Sequence, residues 1–219
     1  MSEVVEILPE LALAAWETLY IVVLSLLVGG TGGLLLGLAL YLTRPGNLFS
    51  NRPVFTILNV LVNFVRPIPF ILLLVVVVPF ARLVVGTGIG NPPIIVAISI
   101  AAIFGIGRIV EQNLLSVPPG VLEAARAMGA SRWRTVWTVL VPEALAPLIL
   151  GYTYVFVALV DMSAVAGWIG GGGLGTFAIQ DGHRQSDYLV IYASVFLIVL
   201  IVQFVQFLGN RLNRLVLRR

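Results

Sequence analysis

An all-α polytopic membrane protein with five spanning helices is the fold class that this sequence predicts, on three observations. Of 219 residues, 59% are hydrophobic and only 11% charged, whereas a soluble domain carries about 25% charge. The mean hydropathy is +1.06. The apolar residues also gather into runs that reach the roughly 20 residues needed to cross a bilayer as a helix. A single transmembrane domain over residues 1–219 is therefore expected, with no room in that length for a second soluble unit.

The first span covers about residues 11–42. It holds Glu17 near one end and a run of small residues, Gly29-Gly30-Thr31-Gly32-Gly33, followed by Gly37. Glycines at this density favour close helix packing over lipid contact; a kink is the alternative. Arg44-Pro45-Gly46 ends the helix. The second span, about residues 54–85, is interrupted by Arg66-Pro67-Ile68-Pro69, and two prolines predict a kink. Arg66 facing lipid would cost about 2.5 kcal/mol or more, so it must face protein, a water-filled cavity or the interface. The third span is about 94–115. Arg108 and Glu111 lie three residues apart near its end and can pair across one turn.

A polar island follows at 116–142. The fourth span is about 143–162, with Pro147 in its first turns. The stretch from Ser163 to Asp187 reads as a long loop rich in glycine. The fifth span is about 188–208, and an arginine-rich tail, Arg211 to Arg219, closes the chain.

Composition excludes several functions. Cysteine is absent, which removes disulfides, thiol nucleophiles and thiolate metal sites. One histidine, His183, cannot build a metal cluster, and with Asp181 and Asp187 it reads as part of a solvated loop. All basic charge is arginine, so a Walker-type phosphate loop, which needs lysine, is excluded. The glycine run at 170–175 is then not a nucleotide cradle. The net charge of +3 bears on membrane orientation, and no nucleic-acid partner is expected. Glu3, Glu6 and Glu10 precede the first apolar run. A secretory leader would begin with positive charge, so the first span is expected to be retained.

Arginine also orients the chain. With the N-terminus outside, the cytoplasmic side receives ten arginines: Arg44, Arg52, Arg108, Arg126, Arg132, Arg134, Arg211, Arg214, Arg218 and Arg219. The outside receives Arg82 and Arg184. The positive-inside rule therefore predicts N-terminus out and C-terminus in, which puts the 116–142 island in the cytoplasm.

That island contains Glu123 to Pro142, E-A-A-R-A-M-G-A-S-R-W-R-T-V-W-T-V-L-V-P. The local chemistry predicts two short helices. Val121 to Met128 are good helix formers, Gly129 ends the first helix, Ser131 caps the second, and Pro142 opens the next span. E-A-A, three residues, glycine, nine residues and a terminal V-L-V-P resemble the cytoplasmic signature loop of bacterial ABC importer permeases, with Val in place of Ile and Leu.

The resemblance extends to the methionine importer branch through W-E-T-L (Trp16 to Leu19), Y-L-T-R-P-G (Tyr41 to Gly46), I-P-F-I-L-L (Ile68 to Leu73) and G-G-G-L-G (Gly171 to Gly175). Pro67 departs from the serine of the branch's R-S-I-P-F run. Asp161, Met162 and Val165 depart from its pattern after the fourth span.

The resemblance implies a type I ABC importer permease fold in the bacterial inner membrane. It also implies a subunit that hydrolyses nothing itself and holds no cofactor, ATP and Mg being bound by the partner. The implied assembly is two copies of this chain, two ATPase subunits and an extracytoplasmic substrate-binding protein. Glu123, Ala124, Ala125, Met128, Gly129 and Pro142 are the candidate ATPase-coupling residues, with Ala124 and Ala125 offering a smooth face and Glu123 orienting the loop. Asp161, Met162, Ser163, Val165 and Arg66 are the candidates for the substrate path and its gate.

Asp161 offers a charge for an amino group or cation, or else sits at the water interface or pairs with Arg66 or Arg184. Met162 offers a flexible thioether surface. Trp133, Trp137 and Trp168 read as interface anchors or subunit contacts. Another amino acid or small solute is an alternative cargo. An ion-coupled secondary transporter using Asp161 and Arg66 is the alternative mechanism.

Overall fold

The computed structural model describes Ser2–Leu217, with side chains from Ile7 onward except that of Ile169. Arg218 and Arg219 lie outside the described residues, as do the side chains of Glu3 and Glu6. Among the described residues the chain is all helix and turn.

The spine is a pair of long helices, α1 (Ser2–Thr43) and α4 (Asn91–Leu115). Gly29, Gly33 and Gly37 recur every fourth residue, so they share one face of α1. A Cβ added at Gly33 would fall 2.5 Å from Cβ of Ile106, and one at Gly37 would fall 2.6 Å from the carbonyl oxygen of Gly107. Of the two readings of the glycine run, close packing holds, and α1 continues as one helix past it. The Tyr152 hydroxyl donates to the Gly30 carbonyl oxygen at 2.7 Å, which ties α8 (Leu145–Ala166) to the same seam. Ile21, Ile98, Ile106, Leu114, Leu140 and Leu159 are buried in one continuous core around this seam.

The second apolar stretch breaks where a kink is predicted, at Arg66–Pro69. It is two helices, α2 (Arg52–Val65) and α3 (Phe70–Val85), bent by 111° at the Arg66–Pro69 break. Pro67 and Pro69 remove two backbone donors at the bend. The cross-link holding α2 is tertiary: Arg108 on α4 donates to Oδ1 of Asn59 and of Asn63, each at 2.7 Å. Four helices are individually long and apolar enough to cross a membrane, and the bent pair makes up to five.

Two further segments depart from the sequence reading. The stretch after α8 is mostly helical turns: α8 runs on to Ala166, then come a 3-10 turn (Gly167–Ile169), α9 (Leu174–Phe177) and a π-helical turn (Ala178–His183). The supposed C-terminal tail is also helix. α10 (Tyr188–Leu217) continues through Arg211 and Arg214, since arginine is a good helix former. Large apolar side chains on α3 and α10, among them Leu72, Val76, Leu83, Phe196 and Phe204, remain exposed on the single chain.

Candidate coupling surface and outer gate

The polar island folds as two short helices joined at Gly129. α5 (Pro119–Ala127) ends in a left-handed glycine, with Gly129 at φ +85°. The Gly129 N–H donates to the Arg126 carbonyl at 3.0 Å, and the Ala130 N–H donates to the Ala125 carbonyl at 3.1 Å. These two bonds are the paired closure of a Schellman motif, which a left-handed residue at this point permits. Ser131 then caps α6 (Arg132–Thr135), its Oγ accepting from the Arg134 N–H at 3.3 Å. A π-helical turn (Val136–Leu140) and α7 (Val141–Glu143), with Pro142 in its first turn, lead into α8.

The candidate coupling residues do not all face one way. Glu123, Ala124, Met128, Gly129 and Pro142 are exposed, and Met128 is 83% exposed. Ala124 and Met128, four residues apart, share a face. Ala125 is only 5% exposed and packs inward, so the smooth outer face consists of Ala124 without Ala125. Glu123 and Arg126 border a cavity of about 280 Å3 between α5 and the α1–α2 loop, lined also by Tyr41, Asn47 and Leu122.

The island is anchored to that loop. The Trp133 ring packs on Phe49 at 4.9 Å, and the Arg132 guanidinium lies 5.9 Å from the same ring. A charged cluster sits behind the loop. Glu111, 1% exposed, accepts from Arg108 at 2.5 Å, the pairing expected from their spacing, and from Arg44 at 3.4 Å. Asn59 and Asn63 were not singled out from the sequence, and Arg44 was read only as a helix-ending and orienting charge. Two asparagines four residues apart in a mostly apolar helix were the available signal.

The candidate path residues lie around the α2–α3 bend and the C-terminal end of α8. Arg66 caps α2, is exposed, and lines a cavity of about 140 Å3 with Phe70, Leu73, Phe104, Gly105 and Met162. Met162 and Val165 are half-buried and Ser163 is 2% exposed. Asp161 is exposed. Among the described residues it pairs with neither Arg66 nor Arg184, and both ion pairs belong to Glu111. The structure thus brings Arg66 and Met162 together and leaves Asp161 on the surface of the single chain.

Beyond α8, three consecutive peptide N–H groups are held by side chains of other helices. Gly172 donates to Asn91 Oδ1 at 2.7 Å, Gly173 to Glu17 Oε2 at 2.8 Å, and Leu174 to Thr18 Oγ1 at 2.8 Å. Partners 81 and 156 residues away are invisible to a local reading.

Comparison with known proteins agrees with this architecture. Residues 29–219 match the family described as binding-protein-dependent transport system inner membrane component. A probable D-methionine transport system permease protein MetI of Vibrio cholerae is 40% identical over 201 residues, covering 92% of this chain and 89% of that protein. The corresponding protein of Pasteurella multocida is 42% identical, covering 91% and 92%. A solved structure of inward-facing conformations of the MetNI methionine ABC transporter superimposes with a TM-score of 0.93 at 40% identity, covering 96% of this chain and 98% of that one. An amino acid ABC transporter with histidines, 21% identical at a TM-score of 0.75, shares the fold. By a family match over most of its length and by these two relatives, this chain belongs to the binding-protein-dependent transport system inner membrane components, as a relative of the D-methionine permeases.

Proposed function

We propose that this chain is the membrane-spanning subunit of an ATP-driven methionine importer. It would work as two copies, with two ATPase subunits on the cytoplasmic side and an extracytoplasmic binding protein delivering substrate. The observation that carries the reading is the 40% identity to a D-methionine permease over 92% of the chain, joined to a signature loop whose turn is closed at Gly129 and whose Met128 face is free.

In this reading the bent pair counts as one span. The chain then crosses the bacterial inner membrane five times, N-terminus out and C-terminus in, with the arginine bias in support. ATP and Mg belong to the partner. Exposed Ala124 and Met128 dock on it, Glu123 orients the loop, and Pro142 passes the motion to α8. Closure of the ATPases draws the two coupling loops together and favours the outward-facing state. A solved relative that superimposes at a TM-score of 0.93 is described as inward facing, and in this reading the present conformation is the one with the outer mouth shut. Arg66 and Met162 on one cavity wall offer a cation for a carboxylate and a thioether for an apolar side chain, with Asp161, Ser163 and Val165 at the gate beside them. The exposed apolar faces of α3 and α10 suit lipid and a second copy.

The test is uptake of labelled methionine by vesicles holding this chain, its ATPase and its binding protein, with and without ATP, beside a Gly129→Asp variant. ATP-dependent uptake that the variant loses is the expected result. ATP-stimulated turnover without methionine uptake would reject the substrate, and uptake indifferent to ATP would reject the importer.

A further inference from the structure

The clamp on residues 172–174 has no counterpart in the coupling scheme, and its geometry is demanding. The three acceptors come from two helices, Glu17 and Thr18 on α1 and Asn91 at the start of α4. They reach the backbone only because the turn has no side chains in the way. A Cβ on Gly172 would collide with the Glu17 carboxylate, and one on Gly173 would fall 2.7 Å from Thr18 Oγ1. Gly173 is also left-handed, at φ +95°. Below the turn, Leu174 and Phe177 are buried against Ala14 and Val190. Gly175 lies so close to Ala164 that an added Cβ would fall 2.5 Å from the Ala164 carbonyl oxygen. The turn is therefore wedged between α1 on one side and the end of α8, which carries Asp161 to Val165, on the other.

We propose that Glu17, supported by Thr18 and Asn91, is the positioning residue of the outer gate. It fixes the glycine turn, and through Gly175 the end of α8, in the closed outer arrangement. This rests on the importer reading. A carboxylate accepting a peptide N–H makes a stronger bond than a neutral acceptor, so Glu17 is the dominant member. If the clamp exists only while the outer mouth is shut, its bonds add to the stability of the inward-facing state alone. Removing one of them shifts the population toward the outward-facing state, which otherwise requires ATP and the loaded binding protein. Glu17 touches no reacting atom, so its effect should appear as lost coupling.

The experiment uses the full complex in vesicles with labelled methionine, and the purified permease for hydrogen exchange. Glu17→Ala should accelerate amide exchange in the 172–174 segment. It should also raise ATP hydrolysis without binding protein by about tenfold, the effect of one charge-assisted hydrogen bond, and lower the methionine imported per ATP. Glu17→Gln, which keeps an oxygen acceptor, should return all three toward the parent, and Thr18→Val should move them the same way as Glu17→Ala but less. Parent-like exchange and parent-like uptake per ATP in Glu17→Ala would overturn the proposal. So would uptake and hydrolysis falling in equal proportion without rescue by Glu17→Gln, which would mark a merely structural contact. A parent complex with no ATP-dependent uptake would reject the importer instead, and the exchange comparison would still judge the clamp.

Discussion

The Glu111 cluster permits a prediction in which burial decides between two bonds to the same carboxylate. Glu111 is 1% exposed and contacts Arg108, 14% exposed, at 2.5 Å and Arg44, 43% exposed, at 3.4 Å. Removing one partner of a buried ion pair costs about 3–5 kcal/mol, because the other charge is left uncompensated. Arg108 keeps the amide oxygens of Asn59 and Asn63 at 2.7 Å, so Glu111→Ala should fall near the lower end, about 3 kcal/mol. The Arg44 contact is long and wet, and such pairs are worth about 0–1 kcal/mol. Two double-mutant cycles sharing Glu111→Ala, one with Arg108→Ala and one with Arg44→Ala, separate the two contacts. Stability would be read from equilibrium unfolding in mixed micelles. The expected coupling energy is about 1.5–3 kcal/mol for Arg108 and below about 1 kcal/mol for Arg44. A coupling to Arg44 equal to or above that to Arg108 would refute the argument from burial.

Three further outcomes follow from the packing. Gly33→Val places two methyl groups beyond a Cβ that would already meet Ile106; overpacking of this kind costs about 1–3 kcal/mol or more, so thermal melting in detergent should fall, whereas Gly105→Ala, with nothing within 4 Å, should leave melting unchanged. Tyr152→Phe removes the bond to the Gly30 carbonyl and should cost about 0.5–1.5 kcal/mol in the same micelle titration. Gly129→Ala keeps the loop's polarity but strains a φ of +85° by about 1 kcal/mol; ATP-driven uptake should drop partially, less than in Gly129→Asp.

What could be read from the sequence tracks how local each determinant is. The turn at Gly129 and the cap at Ser131 were legible because both depend on residues within one helical turn. The Arg108–Glu111 pair was legible for the same reason. Pro67 and Pro69 announced a break, but not a bend of 111°, because two missing donors say where a helix fails and nothing about where its continuation packs. That direction is tied to Asn59 and Asn63 meeting an arginine 45 or more residues away. The glycine-rich stretch after α8 looked like a loop because its backbone partners, Glu17, Thr18 and Asn91, lie far back in the chain. Ala125 looked interchangeable with Ala124, and only its place on the inner side of α5 separates them. The candidate path residues were chosen by residue type, and the adjacency of Arg66 and Met162 around one cavity at the bend could not be read that way.

The seam of glycines between α1 and α4 has a consequence for how the two ends of the molecule communicate. From Thr18 to Arg44 the chain advances 26 residues, about 39 Å at 1.5 Å each, with no break in the helix before Thr43. Its N-terminal part grips the glycine turn, and Arg44, just past its C-terminal end, reaches Glu111. With Gly33 and Gly37 seated against Ile106 and Gly107, α1 and α4 pack closely enough that sliding or rotating one against the other would bring these surfaces into collision. Packing of this kind makes the length of α1 a specification. One residue inserted between Thr18 and Gly29 would turn the N-terminal part of α1 by about 100° and advance it by about 1.5 Å, carrying Glu17 off the turn while the contacts beyond Gly29 stayed in place.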